Sequence, residues 1–224
     1  MTKNLMSIDT ALHKGTVPKQ GQSPKGYEIR ALIYKLVSVG FLYPDDVWQK
    51  RMLGLIEELD KIGEPSLIPD FESNIAKIRR FLSPASGHSN LTELQEEHFR
   101  LFGPDPVCHL DIAHWAQGDV FMQSRKMAEM AGFYRAFGLD MNEGLRVDNL
   151  SVAFEFLSYL CLKILHAENM GADNHIETTE KAMNSFRDEF VLPGLDRFVK
   201  SVRDNSKTGF YEVIGGLAKK EIRI

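Results

Sequence analysis

The sequence predicts an all-α protein, a single bundle of about eight to nine helices, and three observations predict it. Apolar residues recur at spacings of three and four along most of the chain, the period of a helix with one buried face. One run from Asp148, DNLSVAFEFLSYLCLKILHAENMG, is apolar on nearly every side, which suits a helix at the centre of a bundle. No alternating stretch of useful strand length occurs, and no internal repeat of roughly 20 to 50 residues is visible.

Each element can be justified in turn. Residues 1–25 are polar and broken by Gly15, Pro18, Gly21 and Pro24, so they read as a disordered N-terminal tail, and residues 26–224 read as the helical domain. From Tyr27, the stripe Leu32, Ile33, Leu36 and Val37 predicts a first helix that stops near Pro44. Asp45 or Asp46 can cap a second, carrying Met52, Leu55, Ile56, Leu59 and Ile62, because a carboxylate there accepts orphan backbone N–H groups. Gly63 and Pro65 end it. Asp70 is expected to cap a third helix with Phe71, Ile75, Ile78, Phe81 and Leu82 on one side, before the loop from Ser83 to Gly87. Asn90 with Glu93 resembles a capping box, and Leu91, Leu94, Leu101 and Phe102 carry a fourth helix to Gly103-Pro104.

Periodicity then lapses between Gly103 and Gly118, where Cys108, His109, Asp111, His114 and Trp115 crowd together. It resumes with Phe121, Met127, Met130, Ala131, Tyr134 and Phe137, and Gly138 stands where a left-handed C-cap is expected. After the apolar run, further helices are expected around Ile176 to Phe190, Leu195 to Val202 and Phe210 to Leu217. Pro193-Gly194 and Asn205-Ser206 would separate them.

Composition narrows the function. Lys and Arg total 27 against 31 Asp and Glu, with a pI near 6.0, so there is no basic footprint for nucleic acid. No stretch reaches the roughly 20 consecutive apolar residues of a membrane span, and the N-terminus has no apolar core like that of a signal peptide. The expectation is a cytoplasmic protein without membrane insertion. Cys108 and Cys161 are the two cysteines, and neither belongs to a CxxC pair, which argues against a disulfide framework or a Cys-rich zinc site.

Candidate chemistry is sparse. None of the seven histidines has Glu three residues before it, the pairing of carboxylate-bridged di-iron bundles. Asp111-x-x-His114 comes nearest, and Cys108 and His109 would add ligands, so a small metal-dependent enzyme built on this segment is one alternative. The plainer reading is a structured loop over Trp115. Phosphate-binding and dinucleotide glycine motifs are absent. Asp148 and Asn149 both suit a helix start, and Glu155 lies among Phe154, Phe156 and Leu157, where a carboxylate must be paired or stand at a groove edge.

Three segments in order resemble the TorD/DmsD/NarJ family of redox-enzyme maturation chaperones. They are YKLVSVGFLYPDD from Tyr34, LQEEHFRLFGP from Leu94 and VDNLSVAFEFL from Val147. The second is similar to the family's Glu-aromatic-x-Arg-Leu-Phe segment: Glu97, Arg100, Leu101 and Phe102 match, and His98 stands where an aromatic is usual. The third resembles the hinge motif Pro-Asp-His-Leu-x-x-Glu-Leu-Glu-Phe. Asp148, Leu150, Glu155, Phe156 and Leu157 match, while Val147, Asn149 and Ala153 depart from it. The family's histidine, with its suggested nucleotide binding, therefore has no counterpart at Asn149. GFYRAFGL from Gly132 and the pair Phe210-Tyr211 extend the likeness over about residues 27 to 217.

The resemblance implies a non-enzymatic chaperone that binds the N-terminal signal or remnant peptide of a molybdopterin-containing catalytic subunit until its cofactor is inserted. It implies no stably bound cofactor, since the client carries the molybdopterin guanine dinucleotide, and a monomer or a domain-swapped dimer. A peptide of that kind is a short apolar helix, and nine Met and fourteen Phe residues can line an adaptable groove. Asp148, Asn149 and Glu155 would border the groove, with Arg100, Leu101 and Phe102 supporting it. Asp148, Glu155 and Asp111 would form an acidic rim for the arginines of a twin-arginine signal. A helical scaffold that ignores such peptides is the remaining alternative.

Overall fold

The computed structural model describes residues 26–62, 70–83, 91–115, 120–140 and 146–223. The expected tail, the Gly63-Pro65 stop, Asn90 of the capping box and most of the Ser83–Gly87 loop lie outside these residues. The helices are α1 Tyr27–Gly40, α2 Asp46–Ile62, α3 Phe71–Leu82, α4 Leu91–Phe102, α5 Ile112–Trp115 and α6 Val120–Ala136. They continue with α7 Leu150–Met170, α8 Asp173–Phe186, a π turn Arg187–Val191, α9 Leu192–Asn205 and α10 Phe210–Glu221. Among the described residues there is no strand, and one isolated antiparallel bridge joins Asp111 to Asn149.

The apolar run forms α7, and the bundle is built around it. Val152, Phe154, Phe156, Leu157, Leu160, Cys161 and Ile164 are all fully buried. Among the described helices this one alone is long and apolar enough, by length and composition, to cross a membrane. Its most apolar stretch is 72% buried within the fold, so neighbouring helices cover most of that surface. Helix α1 runs antiparallel along it: Ser158 Oγ donates to the Ala31 carbonyl at 2.8 Å, and Lys35 Nζ donates to Glu155 Oε1 at 2.6 Å.

Termini follow local chemistry. Asp45 caps α2, its Oδ1 accepting from Trp48 N at 2.7 Å. Asp70 precedes α3 but does not cap it with its side chain; it adopts a left-handed backbone (φ 59°) and its carboxylate instead meets Lys220 at 3.1 Å. Gly138 and Gly171 end α6 and α7 with positive φ, and the residues after them donate back to Tyr134 and Ala167, satisfying the last carbonyls of each helix.

Pro193-Gly194 does not separate two helices. The π turn leads straight from α8 into α9, and its extra residue accommodates a proline ring at the start of α9. Gly194 is there for closeness: a Cβ on it would lie 3.0 Å from Trp115 Cβ and 3.1 Å from the Ile112 carbonyl. The glycine lets α9 press against α5, which carries part of the site described next.

Candidate functional site

Two stretches distant in sequence are laced together where α7 begins. Ile112 N donates to the Asp148 carbonyl and Leu150 N to the Leu110 carbonyl, both at 2.8 Å, forming the bridge between Asp111 and Asn149. Tyr134 on α6 donates to the Val147 carbonyl at 2.9 Å, tying the same strip to a third element. Asn149 is the helix cap, accepting from Ser151 N at 2.9 Å.

Asp148 does something else. Its side chain is 1% exposed, and Arg146 grips it with both arms of the guanidinium, Nε to Oδ1 and Nη2 to Oδ2, each at 3.0 Å. Ala113 N, in the first turn of α5, also donates to Oδ2 at 3.3 Å. Arg146 Nε lies 3.1 Å from Asp111 Oδ2 as well, so one guanidinium serves two carboxylates. Burial, and then the neighbouring Asp148 charge, push the Asp111 carboxyl above the usual range, with Arg146 opposing them. Beside it the His109 and His114 rings stack at 3.8 Å, and burial lowers the His114 pKa.

The alternative ligand set does not assemble. Cys108 turns inward, its Sγ 3.2 Å from Ser201 Oγ, and burial raises its pKa, which suppresses the thiolate that a metal or a nucleophilic reaction needs. No group of three His, Cys, Asp or Glu side chains suited to a metal ion occurs among the described residues.

Glu155 is not at a groove edge. Its side chain is 2% exposed and paired with Lys35, because α7 is covered by α1 at that level. Arg100, Leu101 and Phe102 form a separate group. Arg100 donates to the Asn205 carbonyl at 2.7 Å, Leu101 is fully buried, and Phe102 packs edge-on against Tyr211 with centroids 5.0 Å apart. Glu97, which the sequence reading quoted without a role, completes this group. It accepts from Lys207 N, Thr208 N, Thr208 Oγ1 and Ser206 Oγ, pinning the loop that enters α10.

Open apolar surface appears elsewhere. Phe121 is 79% exposed and Met122 36%, both at the start of α6, while Met130 and Tyr134 further along are buried. Phe121 and Met130 are nine residues apart, about two and a half turns, so they lie on opposite faces. Met127 links this half of α6 to the hinge, accepting from Arg146 Nη2 at 3.5 Å. Leu110, Ile112, Trp115, Leu150, Val191, Gly194, Leu195 and Phe198 line a crevice behind the hinge with a cavity volume of about 10 Å³, far too small for a ligand.

The model of the nitrate reductase delta subunit family matches residues 64–200, a span that takes in α4, the hinge, α6, α7 and most of α9. The chain belongs to that family. It is the NarJ/TorD-type chaperone family that the three motifs resemble, a family of maturation chaperones for redox enzymes. A solved structure of a proposed redox enzyme maturation protein from Archaeoglobus fulgidus superposes with a TM-score of 0.54 at 20% identity. The match covers 94% of this chain and 98% of that one, and it shows that the two share the all-helical fold. No curated protein matches.

Within the delta subunit family frame, the hinge motif and the Glu97 segment have different tasks here. Asp148 and Asn149 organise the start of the core helix, and Glu97 and Arg100 fasten α4 to α10. Arg146 escaped the sequence reading, although an Arg two residues before a helix-start Asp was the visible signal. Phe121 escaped as a surface residue because it was counted with an apolar stripe whose face it does not share.

Proposed function

We propose that the chain is a peptide-binding chaperone that holds the N-terminal signal or remnant peptide of a molybdopterin-containing catalytic subunit, with no chemistry of its own. Family membership supports the general role. The observation that carries the finer reading is the exposed start of α6: Phe121 and Met122 face solvent on the helix whose Met127 meets Arg146, the guanidinium that the hinge carboxylates hold. An apolar peptide helix lies on Phe121 and Met122, and the flexible Met122 side chain adapts to it. Its arginine reaches Asp111 and Asp148. Glu155, Arg100, Leu101 and Phe102 act as scaffold in this reading. The protein works in the cytoplasm, as a monomer or a domain-swapped dimer, and the client rather than the chaperone keeps the molybdopterin guanine dinucleotide.

Co-purification of the tagged protein from its native cells, grown under respiratory conditions, tests this. A molybdoenzyme catalytic subunit is expected among the partners, and it is lost when its N-terminal segment is deleted. Replacing both Phe121 and Met122 by Asp is expected to weaken binding of the synthetic N-terminal peptide at least about tenfold while the far-UV spectrum is unchanged. Undiminished affinity in that variant would remove α6 from the binding surface.

A further inference from the structure

We infer that Asp148 and Asp111 form a guanidinium site which Arg146 fills as a stand-in, and which an arginine side chain of a bound peptide takes over. This rests on the peptide-binding reading above for its ligand, and on the geometry of the hinge for the site. The two sides of the ion pair are unequal. Asp148 is buried and anchored at several points: its carbonyl accepts from Ile112 N, its Oδ2 from Ala113 N, and its neighbour Asn149 caps α7. Asp111 is fixed by the same bridge. Arg146 is 53% exposed, and its side chain reaches back over the surface to carboxylates that are 1% and 25% exposed.

A buried carboxylate cannot simply lose its cation, because the uncompensated charge would be costly to keep away from water. It can exchange one guanidinium for another at little cost, since the incoming group makes the same forked pair of bonds. The balance is then set by what else the newcomer brings. Arg146 touches Met127 on α6, so an arginine arriving on a bound peptide enters beside that methionine, and the peptide's other contacts with the chain tip the exchange in its favour. Arg146 thus keeps the site charged-compensated while empty of client and makes vacant binding depend on an arginine, not on any cation. A lysine could not reproduce the two-armed grip.

The test uses the full chain with Arg146→Ala and two small probes, methylguanidinium and methylammonium. The variant melts below the wild type, and low millimolar methylguanidinium raises its Tm saturably, whereas methylammonium does not and the wild type does not respond. Absence of a guanidinium-specific rise in the variant overturns the site, whatever peptides bind. Should Arg146→Ala fail to fold, Arg146→Lys serves: it retains a cation without the fork, and the same guanidinium-specific rise is expected. In the second arm the arginine-bearing client peptide binds Arg146→Ala several-fold tighter than wild type, because no stand-in has to leave, and a lysine-substituted peptide shows no such gain. Weaker binding by the variant overturns the stand-in role. A guanidinium response with no peptide binding by either protein supports the site and rejects the peptide-binding reading instead.

Discussion

His98 replaces an aromatic of the family pattern and behaves as one. Its ring packs against Phe102, Tyr43 and Tyr211 at centroid distances of 5.3, 5.5 and 6.0 Å, and its Nε2 donates to the Phe41 carbonyl at 3.2 Å. Burial pushes its pKa down to about 4, whereas in the unfolded chain it titrates near 6.5. The unfolded state therefore binds the proton first. Stability from the neutral ring is complete above the unfolded value and is lost as pH falls from about 6.5 toward about 4, by on the order of 3 kcal/mol at the bottom of that window. His98→Phe is expected to remove this part of the acid limb. Denaturant unfolding at about pH 7 and pH 4.5 measures it, and an equal loss in wild type and variant would assign the proton to another group. Glu155 teaches the complementary lesson: the sequence showed that its carboxylate needed a partner or an opening, but Lys35 lies 120 positions away and only the packing of α1 on α7 chooses between the two.

At the scale of elements, what could be read was what local chemistry decides. The Asp45 cap, the Gly138 stop and the apolar α7 follow from residues within a turn or two of each feature. Pro193-Gly194 was misread because a break and a π turn have the same local signature, and the choice depends on α5 lying against Gly194. That gives a paired prediction. Gly194→Ala pushes a methyl into Trp115 and the Ile112 backbone, so it should cost about 1–3 kcal/mol despite the better helix propensity of Ala. Gly216 on α10 meets nothing within 4 Å, so Gly216→Ala should instead stabilise by roughly 0.5–1 kcal/mol. Equilibrium unfolding of the two variants checks this, and matching effects of one sign would show that α5 does not press on α9.

For the molecule as a whole, the motif positions of the site were legible and their surroundings were not, because order along a chain does not say which segment will lie across from which. Asp148 meets Asp111 only when the intervening 36 residues fold back to form the bridge, and that closure depends on the same core that buries α7. One connected set of buried side chains runs from Tyr27 to Ile222 through every longer helix, so the described residues should unfold as a unit. The two tryptophans make this measurable. Trp48 is buried and donates to the Val39 carbonyl at 2.7 Å, whereas Trp115 donates to the His109 carbonyl beside the hinge, also at 2.7 Å. Trp48→Phe leaves a reporter at the hinge and Trp115→Phe leaves one in the α1–α2 region. Each variant should lose about 1 kcal/mol or more with its hydrogen bond and packing, but within each variant the fluorescence midpoint in urea should coincide with the far-UV circular dichroism midpoint. The coincidence is the point, because a hinge built for exchange of one side chain needs a rigid frame around it. A hinge reporter that melts ahead of the helices would mean that the strip around Asp111 and Asp148 opens by itself, and that a client is admitted by local unfolding rather than by replacing Arg146.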